Sequence, residues 1–239
     1  MSSFTLKLIA ISAMLCDHIG AILFPADISW RIIGRIAFPI FCFLIAEGAA
    51  HTRNIKRYLL RLSLFALVSE IPFDLADTGK LLELGTQNVY FTLTLGLIGI
   101  IAIRYFKKRW YFSAPIVLAL AWLAQQIHTD YRWYGVLMIV FFYLAGTNKI
   151  AQAGAFIVPT QAYSIERTAK AYSGIEHVPA KDFISSMFKD VQQSALMGLV
   201  VIMLYNGKRG YNKPWVKWGF YLFYPCHLFL LYFIKTWVF

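Results

Sequence analysis

The chain is built from apolar runs of about twenty residues, separated by short polar connections. In a helix such a run rises ~1.5 Å per residue, enough to cross a hydrocarbon core of ~30 Å. Lipid gives free backbone groups no partner, so runs of this kind are helices. A β-barrel would need alternating segments of about ten residues, and the sequence has none. The pattern predicts helices over 4–24, closed by Pro25; over 30–50; over 58–71, ended by Pro72; and over 88–106, 111–127, 132–145, 194–205 and 219–238.

Residues 146–193 interrupt this regularity. The stretch 150–158 is apolar but short, Pro159 follows it, and 160–190 mixes charges with Tyr, Ser and Pro. A polar loop or amphipathic insertion is expected at 160–190, with an amphipathic helix near 180–193. No internal repeat is visible. The expected architecture is all-α: a polytopic transmembrane helical bundle of about eight to ten membrane helices. Residues 1–239 would form a single integral membrane domain.

The connections carry a charge pattern that orients the chain. Arg53, Lys56, Arg57 and Arg61 share one connection, and Arg104, Lys107, Lys108 and Arg109 another, whereas Asp74, Asp77, Lys80 and Glu83 make a net acidic one. Positive charge stays cytoplasmic, so the N-terminus is expected there, with 25–30, 72–88 and 128–132 outside. Lys208, Arg209, Lys213 and Lys217 should also be inside. That parity demands one further crossing or re-entrant segment, expected as a short, broken piece over 149–163. The expected location is the inner membrane of a bacterium, with multiple crossings.

Composition agrees. Only 15% of residues are charged and 59% are hydrophobic, against about 25% charged in soluble domains, so this surface cannot mostly face water. The net charge of +11 would suit nucleic acid, but the basic residues sit where topology needs them. No nucleic-acid partner is expected, and anionic lipid headgroups are. Cys16, Cys42 and Cys226 lie within apolar runs without paired spacing, so neither a disulfide framework nor a metal site is expected. Leu15 stands before Cys16 where a lipoprotein site needs a small residue, and the first segment reads as a retained helix.

An ionised group in mid-membrane costs ~2.5–3.5 kcal/mol on insertion scales, so each one here is a functional candidate. Asp17 and His18 lie in the first run, His18 six residues or ~9 Å from its outer end. They point about 100° apart and need separate partners. Arg31 and Arg35 share a helix face near the same end; Glu70 and Asp74 flank Pro72; Asn88, Tyr90, His128, Asp130 and Arg132 lie at the same level. An ion pair of Asp17 with Arg31 or Arg35 would serve equally as a structural lock. His18 is the candidate for moving protons. Glu47 and His51 read better as interfacial groups, and His128 and His177 as solvated ones. His227 lies in an aromatic and polar break around Pro225, where a kink is expected.

Several blocks then carry a resemblance: DHIG at 17–20, GRIAFPIF at 34–41, LYNGKRG at 204–210 and FYLFYPCHLFLLYFI at 220–234. Together with the runs around Glu70 and Asn88 they resemble the TraX family over most of the chain. That family is named for a protein that N-acetylates a conjugative pilin. It is similar, more distantly, to transmembrane acyltransferases that modify glycans and other cell-surface molecules. Matching positions are Asp17, His18, Arg31, Arg35, Glu47, Glu70, Asp74, Asn88 and His227. The resemblance implies a membrane acyltransferase with acetyl-CoA as donor and a peptide or glycan as acceptor. It also implies a continuous apolar helix over 150–190, where this sequence is polar.

In that reading His18 is the catalytic base, oriented by Asp17 or Glu70. Arg31, Arg35, Asp74, Asn88 and His227 bind substrate. Two other readings use the same polar cluster: an amidase or deacylase taking water as acceptor, and a small proton-coupled transporter.

Overall fold

The computed structural model describes residues 1–107, 109–175 and 178–238. Among these are eleven α-helices, one short 3-10 helix and no strand. Lys108 of the second basic connection and His177 lie outside the described residues. The helices are α1 (Ser3–Ile22), α2 (Ile28–Gly34), α3 (Ala37–His51), α4 (Ile55–Thr78), α5 (Val89–Phe106) and α6 (Trp110–Gln126). They continue with α7 (Arg132–Ala145), α8 (Lys149–Ala171), α9 (Ala180–Lys189), α10 (Leu196–Met203) and α11 (Pro214–Val238). The 3-10 turn Val191–Ala195 leads into α10. Local chemistry starts several of them: the side chains of Ser2, Asp27, Asn54, Asn88 and Asn148 each accept from a first-turn amide.

Three elements differ from expectation, each for a physical reason. The helix expected over 30–50 breaks at Arg35 and Ile36 into α2 and α3. Pro39 has no N–H to return to the Arg35 carbonyl four residues back, and the break falls there. The helix expected to end at Pro72 runs on to Thr78 and stops at Gly79, whose φ of 76° is left-handed. Packing of α4 on α5 and α11 carries it past the lost hydrogen bond. The short, broken piece expected over 149–163 and the first part of the polar insertion, to Ala171, are one continuous helix, α8, running through Pro159. Its buried residues include Gln152, Phe156, Pro159, Thr160, Ser164 and Thr168, spaced three and four apart on one face against α7. Polar side chains that resembled a loop in sequence face protein instead, and Thr160 satisfies itself on the Phe156 carbonyl at 2.8 Å. The amphipathic helix expected near 180–193 is α9, none of whose residues is buried.

α3 is the central helix. Phe38, Ile40, Cys42, Phe43 and Ala49 are all buried against α1, α5, α7 and α10. Outward, Leu60, Leu64, Leu67, Val68 and Ile71 of α4 and Leu222, Phe229, Leu230 and Phe233 of α11 are exposed. Among the described residues α1, the α2–α3 pair over Ile28–His51, and α5 are long and apolar enough to cross a membrane. The eight to ten expected spans are therefore not all of that kind; α6 has 17 residues, α7 has 14, α4 and α8 carry more charge, and α11 is less apolar through its Trp, Tyr, Pro and His residues.

The bundle has two chemically distinct ends. At one, Ser3 N–H donates to the Lys208 carbonyl at 2.8 Å, Asn206 N–H to that of Met1 at 3.0 Å, and the Arg209 guanidinium to that of His51 at 3.5 Å. This N-terminal end gathers the basic connections. At the opposite end Gln87 N–H donates to His128 O at 3.2 Å and Asp130 N–H to Gln87 O at 2.8 Å. Those bonds tie the α4–α5 connection to the α6–α7 turn.

Candidate active site

Two glycines bring α1 and α2 into contact. A Cβ on Gly34 would overlap the Asp17 side chain and backbone, and one on Gly20 would overlap Trp30. The absent methyl groups let Arg35 close on Asp17 with two hydrogen bonds, Nε to Oδ1 at 3.2 Å and a terminal nitrogen to Oδ2 at 2.5 Å. Arg31 Nε approaches Oδ1 at 3.4 Å. The two arginines are not equivalent. The Arg35 side chain is 11% exposed and bonded through two of its nitrogens, whereas Arg31 is 36% exposed and its side chain has no hydrogen bond to another described residue.

The carboxylates expected to orient His18 are engaged elsewhere. Asp17 is held by the arginines. Glu70 Oε2 accepts from the side chain of Asn88, which also donates to the Ala66 carbonyl at 2.8 Å and caps α5 by accepting from Tyr90 N–H at 3.0 Å. Asp74 Oδ2 accepts from Glu83 N–H at 2.8 Å and anchors the connection after α4. Glu70, Asp74 and Asn88 therefore form a group of their own.

His18 meets His227 instead. Nδ1 of His18 lies 2.7 Å from Nε2 of His227, and Nδ1 of His227 lies 2.7 Å from the Phe223 carbonyl. A carbonyl only accepts, so His227 Nδ1 carries a proton. In the neutral ring Nε2 is then a lone pair, which accepts from His18 Nδ1–H. The remaining nitrogen, His18 Nε2, is left as a base. Two rings thus fix one tautomer, as a carboxylate does in a catalytic triad.

Pro225 shapes the same stretch of α11. It cannot donate to the Tyr221 carbonyl, and the Tyr90 hydroxyl does so at 3.1 Å. Tyr224, three residues before His227 and so on the same face, stands edge-on to the His18 ring at 5.8 Å between centroids. A cavity of about 30 Å³ lies here, lined by Asp17, His18, Phe41, Asp130, Tyr131 and Tyr224 among others. Its floor comes from the α6–α7 turn, where His128, Tyr131 and Arg132 have positive φ of 52°, 65° and 43°. Strain of that kind is held where surrounding contacts over-determine it. Here the Tyr131 ring stacks on Phe38 at 3.5 Å, and the Arg35 guanidinium lies 5.8 Å from its centre. Asp130, in that turn, has its carboxyl pushed up to about 6 by burial, against the pull of Arg35.

A second, larger cleft of about 640 Å³ opens at the N-terminal end. Glu47 and His51 line it, with the Tyr205 hydroxyl donating to Glu47 at 2.8 Å and His51 Nδ1 at 3.4 Å from the same oxygen. Phe41 borders both spaces. Among the described residues no group of three or more His, Cys, Asp or Glu is gathered for a metal ion.

Of the residues singled out from sequence, Asp17, His18, Arg31, Arg35 and His227 are thus assembled at one place. Tyr131 and Tyr224 were not among the site residues expected from sequence; the i, i+3 spacing of Tyr224 with His227 was the one available signal for it.

An all-α bundle with spans apolar enough for a membrane, a buried ion pair and a histidine dyad defines the class. The chain belongs to the TraX family, whose model, described as TraX protein, matches residues 2–235. It is 30% identical over 242 residues to the probable fimbrial assembly protein FimC, serogroup H1, of Dichelobacter nodosus, covering 96% of this chain and 94% of that one. It is 25% identical over 147 residues to an uncharacterized protein of Rickettsia prowazekii (strain Madrid E), covering 60% of this chain and 56% of that one. No solved structure matches.

Proposed function

We propose that the protein is an integral membrane acyltransferase that moves an acetyl group from acetyl-CoA to an amine or hydroxyl of a peptide or cell-surface glycan. The observation that carries this reading is the His18–His227 dyad, which leaves His18 Nε2 as an oriented base beside a small cavity. Family membership and the fimbrial assembly relative favour a pilin-like peptide as acceptor.

The chemistry needs little else. His18 Nε2 takes the proton as the acceptor nitrogen or oxygen attacks the thioester carbonyl. A bond from carbon to the acceptor forms, and negative charge develops on the carbonyl oxygen. Arg31, whose side chain has no hydrogen bond to another described residue, is placed to meet that charge, while Arg35 holds Asp17 and the turn at 128–132. Collapse breaks the carbon–sulfur bond, and the thiolate takes the proton back from His18.

In the membrane, α1, α2 with α3, α4, α5, α6, α7, α8, the 3-10 turn with α10, and α11 each make one crossing, with the N-terminal end cytoplasmic. The continuous α8 supplies the crossing that the basic connections demand. The bilayer is the inner membrane of a bacterium.

Hydrolysis is the second reading, favoured by one observation: the cavity beside His18, about 30 Å³, is lined in part by polar side chains and is large enough to hold water. Radiolabelled acetyl-CoA incubated with purified protein and a membrane extract separates the two. Label passing to an extract component supports transfer; release of acetate from extract components with no labelled product supports hydrolysis.

A further inference from the structure

We infer that the basic cleft at the N-terminal end holds the phosphate-bearing head of the acyl donor, a nucleotide-linked thioester, whose arm reaches His18 past Phe41. Donor and acceptor then approach from opposite ends of the bundle. The acyl step rests on the function proposed above; the binding of phosphate does not.

The cleft's volume of about 640 Å³ lies in the range of small-molecule sites, ~300–1,000 Å³. Lys7, Arg53, Arg61, Arg209 and Lys217 line it, against the single carboxylate of Glu47, which already accepts from Tyr205. Five cations around one space repel each other until an anion enters. Arg61 Nε is buried with no hydrogen-bond partner among the described residues, and a donor so placed lowers its cost by meeting a phosphate oxygen. Tyr58, Tyr211 and Phe220 add aromatic walls for a planar heterocycle.

The position of the cleft fixes the ligand's shape. Lys7 lines it, and His18 lies eleven residues further along α1, ~16 Å by helical rise. Phe41 borders both the cleft and the cavity at His18. A ligand that satisfies both ends has a charged head, a slender arm and a reactive tip. An anionic lipid headgroup shares the phosphate chemistry but not the reach toward His18.

The test uses the whole protein in nanodiscs of phosphatidylcholine, alone or with phosphatidylglycerol, and measures binding of coenzyme A and of pantetheine by calorimetry. Coenzyme A is expected to bind in phosphatidylcholine alone, and pantetheine much more weakly. Arg53→Glu and Arg209→Glu, both exposed and so tolerant of change, are each expected to weaken coenzyme A on the order of tenfold. Lys181→Glu on α9 is expected to leave it unchanged.

Equal binding of the two ligands, or reversed charges without effect, would overturn the proposal. So would a cleft that takes up phosphatidylglycerol and does not respond to coenzyme A. Arginine-dependent binding without acetyl transfer would leave the cleft standing and remove the acyl reading. Transfer with unaltered binding in the charge-reversed variants would remove the cleft alone.

Discussion

Asp17 and Arg35, on neighbouring helices, meet through two hydrogen bonds because Gly34 lets the α2 backbone rest against the Asp17 side chain. The DHIG and GRIAFPIF blocks are therefore one structural unit, each supplying a glycine and one half of the ion pair. Gly34→Ala forces the helices apart and should cost ~1–3 kcal/mol as overpacking. Gly154→Ala on α8, with nothing within 4 Å of the new Cβ, should be neutral or stabilising by up to about 1 kcal/mol. Thermal unfolding of the two variants in one detergent checks the contrast.

The two arginines should separate in the same assay. Arg35→Ala leaves the Asp17 carboxylate buried without its main partner, a loss of ~3–5 kcal/mol. Arg31 is a third exposed, so Arg31→Ala should cost under about 1 kcal/mol. Its transfer rate should nonetheless fall by on the order of a hundredfold if it meets the developing oxyanion. A folded Arg31→Ala protein with full activity would remove that role.

On the proposed mechanism, His227 acts through its contact with His18 rather than on substrate. His227→Phe keeps a ring in place but removes the acceptor for His18 Nδ1–H, so the base loses its fixed tautomer. The rate should drop on the order of a hundredfold, with KM for the acceptor nearly unchanged. His227→Gln, whose amide oxygen can accept the same hydrogen bond, should recover part of it. Equal loss in both variants would point to simple packing.

Asn88 is committed to holding α4 and α5 together. Asn88→Ala removes an N-cap worth about 1 kcal/mol and strips Glu70 of its donor. A lowered Tm is expected, with the rate per folded molecule kept. Loss of activity at unchanged Tm would return Asn88 to the substrate.

The apolar runs made α1, α5 and α7 legible to within a few residues, because lipid-facing and core-facing positions alike are apolar there. α8 was legible only in part: charge parity asked for a short, broken segment over 149–163, but not for a helix continuing to Ala171. Thr160, Ser164 and Thr168 face protein, and a sequence does not say whether a polar residue meets water or a neighbouring helix. The cost of membrane charge pointed to Asp17, His18, Arg31, Arg35 and Glu70 as unusual. It offered Arg31 or Arg35 as the partner of Asp17, and both approach it, but it could not find the partner of His18. His18 and His227 stand 209 residues apart in the chain, and only the packing of α11 on α1 joins them. For the same reason an orienting carboxylate was expected where the structure has an imidazole.

The most direct measurement follows acetyl transfer to a pilin-like peptide by mass spectrometry, using the intact protein and His18→Ala, each with and without added imidazole. The account predicts acetylated peptide from the intact protein, none above background from His18→Ala, and partial recovery when imidazole fills the vacated base position. Acetylation by His18→Ala at the rate of the intact protein would contradict it.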